Sequence, residues 1–340
     1  MFEIDPLTGD DVEALNGFMK ETGEQVVTLT NERLFEGIES EVLLEPLRYF
    51  TAHKSDAIRP SLMRLACEAL GGKADDVLDA SVAMVLECYY LGLINDVVDN
   101  IDMKRFVWTL PGRYGIYVSL LVSVILNAKA YYTLHQLEGQ LGRVKFERIT
   151  RVFNDFTLRM IEGEAQNLQV KKRKIVSSLD VLTVFELEAS DIEACTTIGA
   201  VIGAGDEKEV VALSQYGRTL GTVFLLREDL MDALNFSARL GNKLSRGSYP
   251  FPILWAINHS REAQEFFSTL TNRSKITPTK IRKSTQLLFT SGAIDHVIKL
   301  MERLTERAKN SLETLEKNEA KKRLELFADI QPKMAFTAFI

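Results

Sequence analysis

A long apolar helical run that begins near Val77 stops in the segment Leu93-Ile94-Asn95-Asp96-Val97-Val98-Asp99-Asn100. Residues three and four apart share a helix face, so Asp96 and Asp99 point the same way and Asn95 lies one turn before Asp99. A second run, Tyr216 to Leu226, stops in Arg227-Glu228-Asp229-Leu230-Met231-Asp232, and there Glu228, Asp229 and Asp232 share a face. Any fold open to this chain must bring two apolar helices to an end in carboxylates, with buried-looking segments between them.

Carboxylates seldom sit on apolar faces unless they are paired or bind metal. Each cluster alone reads as a solvated helix terminus or as an oxygen site suited to Mg2+. Two such rims facing each other across an apolar cavity would hold several Mg2+ ions, and those ions would hold a diphosphate.

The surrounding chain predicts an all-α protein. Hydrophobic residues make up 46% of 340, enough for a large core, and 8 prolines and 20 glycines are too few for a loop-rich β fold. No Asn-Gly hairpin signal and no sustained alternation appear. Helical periodicity runs with breaks to Phe50, then over Ser61 to Leu70, which stops at Gly71-Gly72, and from Asp75-Asp76 into the first cluster. A polar connection follows at 101–112, then helices at about 113–138, 143–169, 179–204, 207–235, 253–269, 278–289, 292–313 and 317–329. No linker divides the chain, so residues 1–340 are read as one domain.

A net charge of −6 and a pI near 5.5 exclude a nucleic-acid-binding surface. Cys67, Cys88 and Cys195 are odd in number and lie in apolar helices, as structural thiols of a reducing cytosol do. Met1 to Asp5 has no basic signal-peptide region. The most apolar run, Ile116 to Leu126, is shorter than the ~20 residues of a membrane span and reads as a buried core helix. A cytoplasmic chain without a transmembrane segment is expected. His53, His135, His259 and His296 show no ligand spacing, Trp108 and Trp255 read as packing residues, and Lys171 to Lys174 as a solvated loop.

The order of motifs resembles the trans-isoprenyl diphosphate synthase (polyprenyl synthetase) family over about residues 50–330. Ile58-Arg59-Pro60 and Leu65 to Gly72 resemble its early Arg-Pro segment and helix. Asn95 to Asn100 with Lys104-Arg105 resembles its first Asp-rich motif and trailing basic pair. Gly217 to Gly221, Phe224 and Arg227 to Asp232 resemble the second motif, and Gly247 with Pro252 a later loop. The resemblance implies an isoprenoid synthase-type bundle of about ten core helices around a deep apolar cavity, usually a homodimer. It also implies three Mg2+ ions when diphosphate is bound, held by Asn95, Asp96, Asp99, Glu228, Asp229 and Asp232. Asp96, Asp99, Asp229 and Asp232 would be the catalytic set, and Arg59, Lys104, Arg105 and Arg227 would contact the diphosphate of an allylic substrate. Tyr89, Tyr90 and Leu225 would shape the pocket, the tyrosines favouring a C15 to C20 chain.

The departures concentrate on one substrate. The family's Lys that helps hold isopentenyl diphosphate falls at Asp56, its His at Cys88, its middle-helix Lys at Leu187 and a late-loop Lys at Ser248, and Asn95 and Glu228 stand for two aspartates. Isopentenyl diphosphate is therefore expected to bind weakly. Three functions stay open: Mg2+-dependent prenyl transfer to isopentenyl diphosphate or another acceptor, cyclisation as a terpene synthase, and a non-catalytic subunit that pairs with another prenyl synthase chain. Prenyl transfer is ranked first.

Overall fold

Helix α4 (Leu78–Val98) carries the first acidic cluster through the middle of the bundle. It has no proline and is apolar on nearly every side, a pattern stable only when neighbours cover it all round. The computed structural model describes residues 9–104, 107–170, 177–234, 249–270 and 277–337. The helices before α4 are α1 (Asp10–Phe35), α2 (Glu41–Ala52) and α3 (Ile58–Glu68). After it come α5 (Leu110–Gln136), the single turn α6 (Glu138–Leu141), α7 (Arg143–Val170), α8 (Ser178–Glu188), α9 (Ser190–Ile202) and α10 (Glu207–Leu234). The chain continues with α11 (Phe251–His259), α12 (Arg261–Ser268), α13 (Pro278–Thr290), α14 (Ala293–Ser311) and α15 (Glu319–Thr337). The fold is all-α, as expected.

Every residue of α9 is buried. Glycines allow this by bringing backbones together on both of its sides. A Cβ on Gly199 would lie 2.2 Å from the Met63 carbonyl of α3, and one on Gly217 of α10 would lie 2.2 Å from Thr196 Oγ1 of α9. The layer α3–α9–α10 is thus packed at backbone contact, which explains the Gly217 to Gly221 run. Glu193 is held there by Arg159 of α7 and Arg218 of α10, with an Oε2 contact of 2.6 Å to Arg159. Burial works against the Glu193 charge, but those guanidinium bonds outweigh it and hold its pKa down.

Two apolar cores result. One joins α1, α3, α4, α5, α7, α9 and the first half of α10. The other gathers α8, α11, α13 and α14 around Val223, Leu226, Leu230 and Ala233. Helix α10 therefore spans both, and its acidic end belongs to the second.

Three sequence expectations change. The helix expected over 179–204 is two, α8 and α9, which meet at Ala189, where Gly221 of α10 presses against Ala189; no Gly or Pro marks this bend. The helix expected over 253–269 is also two, because Ser260 leaves the helix and its hydroxyl accepts from Ala263 N–H at 3.3 Å as a new N-cap. The polar connection after α4 contains a short hairpin, Met103–Lys104 against Val107–Trp108.

The Ile116 to Leu126 run is not a buried core helix. Tyr117 is 86% exposed, Val124 65% and Leu121 56%, while Val122 and Leu126 on the other side are buried against α4. Helix α5 is apolar all round, and a single chain covers only one side of it. By length and composition α4 and α5 each meet the measure of a membrane-crossing helix, α4 being largely covered within the fold and α5 largely outward-facing.

Candidate active site

The first rim closes α4. Asp96 is 3% exposed, and Asn95 and Asp99 are half-buried. Asp99 caps the helix by donating its N–H to the Asn95 carbonyl at 2.9 Å. Asn100 then takes a left-handed φ of 48°, which its short polar side chain tolerates, and Ile101 N–H bonds the Asp96 carbonyl at 2.9 Å. This turn sends the hairpin back over the helix end, where the Lys104 ammonium pairs with the Asp96 carboxylate. Tyr49 of α2 fixes the far strand by donating its hydroxyl to the Trp108 carbonyl at 2.8 Å.

A second ammonium lies within electrostatic reach of the same carboxylate. Lys54, in the link between α2 and α3, lies 4.6 Å above the centre of the Phe50 ring, within electrostatic reach of Asp96 and Lys104. Burial lowers the Lys54 pKa, Asp96 opposes that shift and Lys104 adds to it. With Asp96 and Asp99 both carboxylates, Lys54 and Lys104 balance the charge of the first rim.

Arg59, expected at the diphosphate, has other neighbours. Its Nε and Nη2 donate to Asp191 Oδ2 at 2.8 and 2.6 Å, and its Nη1 donates to Asp56 Oδ2 at 2.7 Å. Asp56 also accepts the Arg59 N–H at 3.2 Å. Burial alone would lower the pKa of Arg59; Cys88, Asp56 and Asp191 more than offset it, so the guanidinium stays charged.

The second rim closes α10. Asp229 and Asp232 are buried and Glu228 is exposed. The first N–H of α11, on Phe251, donates to Asp229 Oδ2 at 2.7 Å, so a helix N-terminus orients this carboxylate. Arg227 turns away toward α15: Nη1 donates to Gln331 Oε1, and the guanidinium lies 5.2 Å from the centre of the Phe224 ring. Burial lowers its pKa, against the pull of Glu228.

The pocket residues separate. Tyr89 is buried on the inner side of α4, its ring set edge-on to Phe50 at 5.7 Å. Tyr90 faces Glu87 and Tyr131 instead. Leu225 packs on the second core. Arg105 and Ser248, and the basic run Lys171 to Lys174, lie outside the described residues. Sequence reasoning missed three buried acids among the described residues, one of them the Glu193 that joins α7, α9 and α10. Asp191 opens α9, and Glu87 sits fully buried in α4, where it accepts from Asn127 Nδ2 at 3.0 Å and from Thr157 Oγ1 at 3.0 Å. Glu87 had a signal, a lone carboxylate inside an unbroken apolar run; Asp191 had none beyond a helix-start acid.

No three His, Cys, Asp or Glu side chains among the described residues converge as a ready metal cage. That suits Mg2+, which takes one or two carboxylates and completes its shell with water and phosphate oxygens. The oxygen-only donors of the two rims, with Asp96, Asp229 and Asp232 buried, fit such an ion.

The polyprenyl synthetase family model matches residues 40–288. The chain is 24% identical over 311 residues to the short chain isoprenyl diphosphate synthase of Methanothermobacter thermautotrophicus, covering 88% of this chain and 94% of that protein. It is 26% identical over 280 residues to the geranylgeranyl diphosphate synthase of Methanosarcina mazei, covering 81% and 84%. Among solved structures, the geranylgeranyl pyrophosphate synthetase from Pyrococcus horikoshii superimposes with a TM-score of 0.86 at 22% identity, over 95% of this chain and 99% of that one.

Proposed function

Because the chain belongs to the polyprenyl synthetase family, we propose that it ionises an allylic prenyl diphosphate of C15 to C20 and passes the prenyl group to a second substrate. It is an enzyme of the prenyltransferase type. The single observation that carries the finer reading is the buried Asp96 carboxylate flanked by Lys54 and Lys104. Two ammoniums beside this carboxylate, that of Lys54 partly desolvated, offer donors to the oxygens of an anion.

Cleavage breaks the C1–O bond of the allylic diphosphate, and the electron pair leaves on oxygen. Lys54 and Lys104 would donate to the phosphate oxygens as that charge develops. Mg2+ held by Asn95, Asp96 and Asp99 on one side and Glu228, Asp229 and Asp232 on the other would, when bound, neutralise the departing diphosphate. The Phe251 N–H keeps Asp229 aimed outward. The allylic cation is left among largely apolar and aromatic side chains. Phe50 and Tyr89 turn ring faces and edges toward this space, and Tyr89 lies two turns deeper than Asp96, about 10 Å along α4. Bulk at that depth supports the C15 to C20 length.

The outward face of α5 supports pairing of two copies through Tyr117, Leu121 and Val124. The named relatives favour prenyl transfer over cyclisation or a non-catalytic role. The test is to incubate the protein with geranyl, farnesyl and geranylgeranyl diphosphates and Mg2+, following pyrophosphate release and identifying the hydrocarbon products. Release that depends on Mg2+ and on Asp96 supports the reading; no release from any of the three substrates refutes it.

A further inference from the structure

Two turns along α4 from the first rim, at Cys88, the bundle holds a second polar cluster. Asp56 and Asp191 are 8% and 6% exposed, and between them Arg59 has Nε, Nη1 and Nη2 all engaged. Cys88 and Cys195 flank the group, and burial, the largest influence on each thiol, pushes both up, so they are neutral. Two carboxylates and one guanidinium leave the cluster with one net negative charge.

The cluster adjoins the diphosphate site. Lys54 at the rim lies over Phe50, Phe50 packs edge-on to Tyr89, and Tyr89 is within electrostatic reach of Asp56, Arg59 and Cys88. This is also where the family resemblance places part of the cradle of isopentenyl diphosphate, at Asp56 and Cys88. A second diphosphate entering here would meet net negative charge and would have to strip Arg59 from two carboxylates.

One further group is unaccounted for. Tyr89 is 6% exposed, and its hydroxyl has no hydrogen-bond partner. A buried hydroxyl normally finds one, and an orphan of this kind marks a place for a ligand or a water. It can donate to an oxygen or accept an O–H or N–H, and it lies within electrostatic reach of Arg59.

We infer that the Asp56–Arg59–Asp191 cluster with Tyr89 forms an acceptor site for a neutral nucleophile, an alcohol or amine without phosphate, in place of a second diphosphate. The inference rests on the prenyl-transfer reading above. In the reaction the C1–O bond of the allylic diphosphate breaks and its electron pair leaves on diphosphate. A lone pair on the acceptor oxygen or nitrogen forms the new bond to C1, and the acceptor proton passes to the released diphosphate.

The experiment has two arms. In the first, isopentenyl diphosphate is titrated calorimetrically into protein loaded with Mg2+ and a non-ionising allylic thiolodiphosphate, for wild type and for Asp56→Lys. Wild type is expected to show no saturable binding up to millimolar concentration. The Asp56→Lys variant removes one partner of Arg59 and adds a cation, and is expected to gain isopentenyl diphosphate affinity by roughly tenfold or more. Saturable micromolar binding to wild type overturns the inference, and so does the absence of any gain in a variant whose circular dichroism and melting show it folded. In the second arm, isopentenol, the same hydrocarbon with a hydroxyl and no phosphate, competes with isopentenyl diphosphate for the prenyl group of farnesyl diphosphate. Prenyl ether in excess of elongated diphosphate supports the site; the reverse ratio overturns it. Pyrophosphate release without any acceptor is measured in parallel. Its failure counts against prenyl-diphosphate ionisation, whereas binding of isopentenyl diphosphate is read by heat and tests the acceptor site alone.

Discussion

Replacing Glu87 with Gln will change how stability depends on pH. Glu87 is fully buried between α4, α5 and α7 and is held only by neutral donors, two contacts from Asn127 Nδ2 at 3.0 and 3.2 Å and one from Thr157 Oγ1 at 3.0 Å. Burial raises its pKa from the ordinary 4.5 to about 7, the bonds from Thr157 and Asn127 opposing the shift. The folded chain therefore holds this proton more tightly than the unfolded chain does. Below pH 4.5 both states are protonated and the side chain costs nothing. Between 4.5 and 7 the unfolded chain releases its proton first, so stability falls as pH rises, and above 7 the loss is complete. At 1.36 kcal/mol per pH unit, that span amounts to about 3 kcal/mol. Glutamine keeps the shape and an accepting oxygen but does not ionise. The difference between Glu87→Gln and wild type, measured by urea unfolding at one protein concentration, should grow by about 2.5 kcal/mol from pH 5 to pH 8 in favour of the variant, part of the span being already lost at pH 5. All other titrating groups cancel in that difference. Parallel stability curves across this range, or a variant less stable at pH 8, would refute the assignment of a buried, uncompensated carboxylate.

Asp96→Ala and Asp229→Ala should each lower Mg2+-dependent pyrophosphate release by roughly 10²- to 10³-fold, because each removes a carboxylate that would hold the leaving-group charge; full release in either variant would reduce the rims to ordinary helix ends. Gly199→Ala should destabilise the fold by about 1–3 kcal/mol, since its Cβ would sit 2.2 Å from the Met63 carbonyl, a backbone atom that cannot swing aside. A melting temperature equal to wild type would mean that α3 and α9 separate freely. Leu121→Asp should convert a dimer to a monomer in light scattering, as it places a charge on the exposed apolar side of α5, and an unchanged mass would show that this side is not the pairing surface.

What the sequence made legible was whatever is encoded over one or two helical turns. The two acidic ends were readable because Asp96 and Asp99, or Asp229 and Asp232, lie on one face at helical spacing. The all-α class was readable because apolar residues recur at that spacing along most of the chain. The bend at Ala189 was not readable, because the pressure of Gly221 from another helix makes it. The exposed side of α5 was not readable either. A run that is apolar all round looks the same whether the fold covers all of it or only one side.

The charges between Lys54 and Arg59 show where residue-by-residue reading stops. By position Asp56 reads as an anion set against a phosphate, yet in the fold its first effect is on Arg59, which it shares with Asp191 from 135 residues further along the chain. The value of a charge is set by its nearest partners, and at interior separations of 3 Å those partners outweigh anything a more distant ligand would contribute. Lys54, two residues earlier, points the other way, over Phe50 and toward Asp96. One short link between α2 and α3 therefore divides the site electrically. It sets an ammonium beside the first acidic rim and leaves the neighbouring Asp56–Arg59–Asp191 cluster with one net negative charge. The substitution at Asp56 is then a relocation of charge within six residues, and the expectation of weak isopentenyl diphosphate binding acquires a cause that alignment alone could not supply: the guanidinium that remains is already occupied.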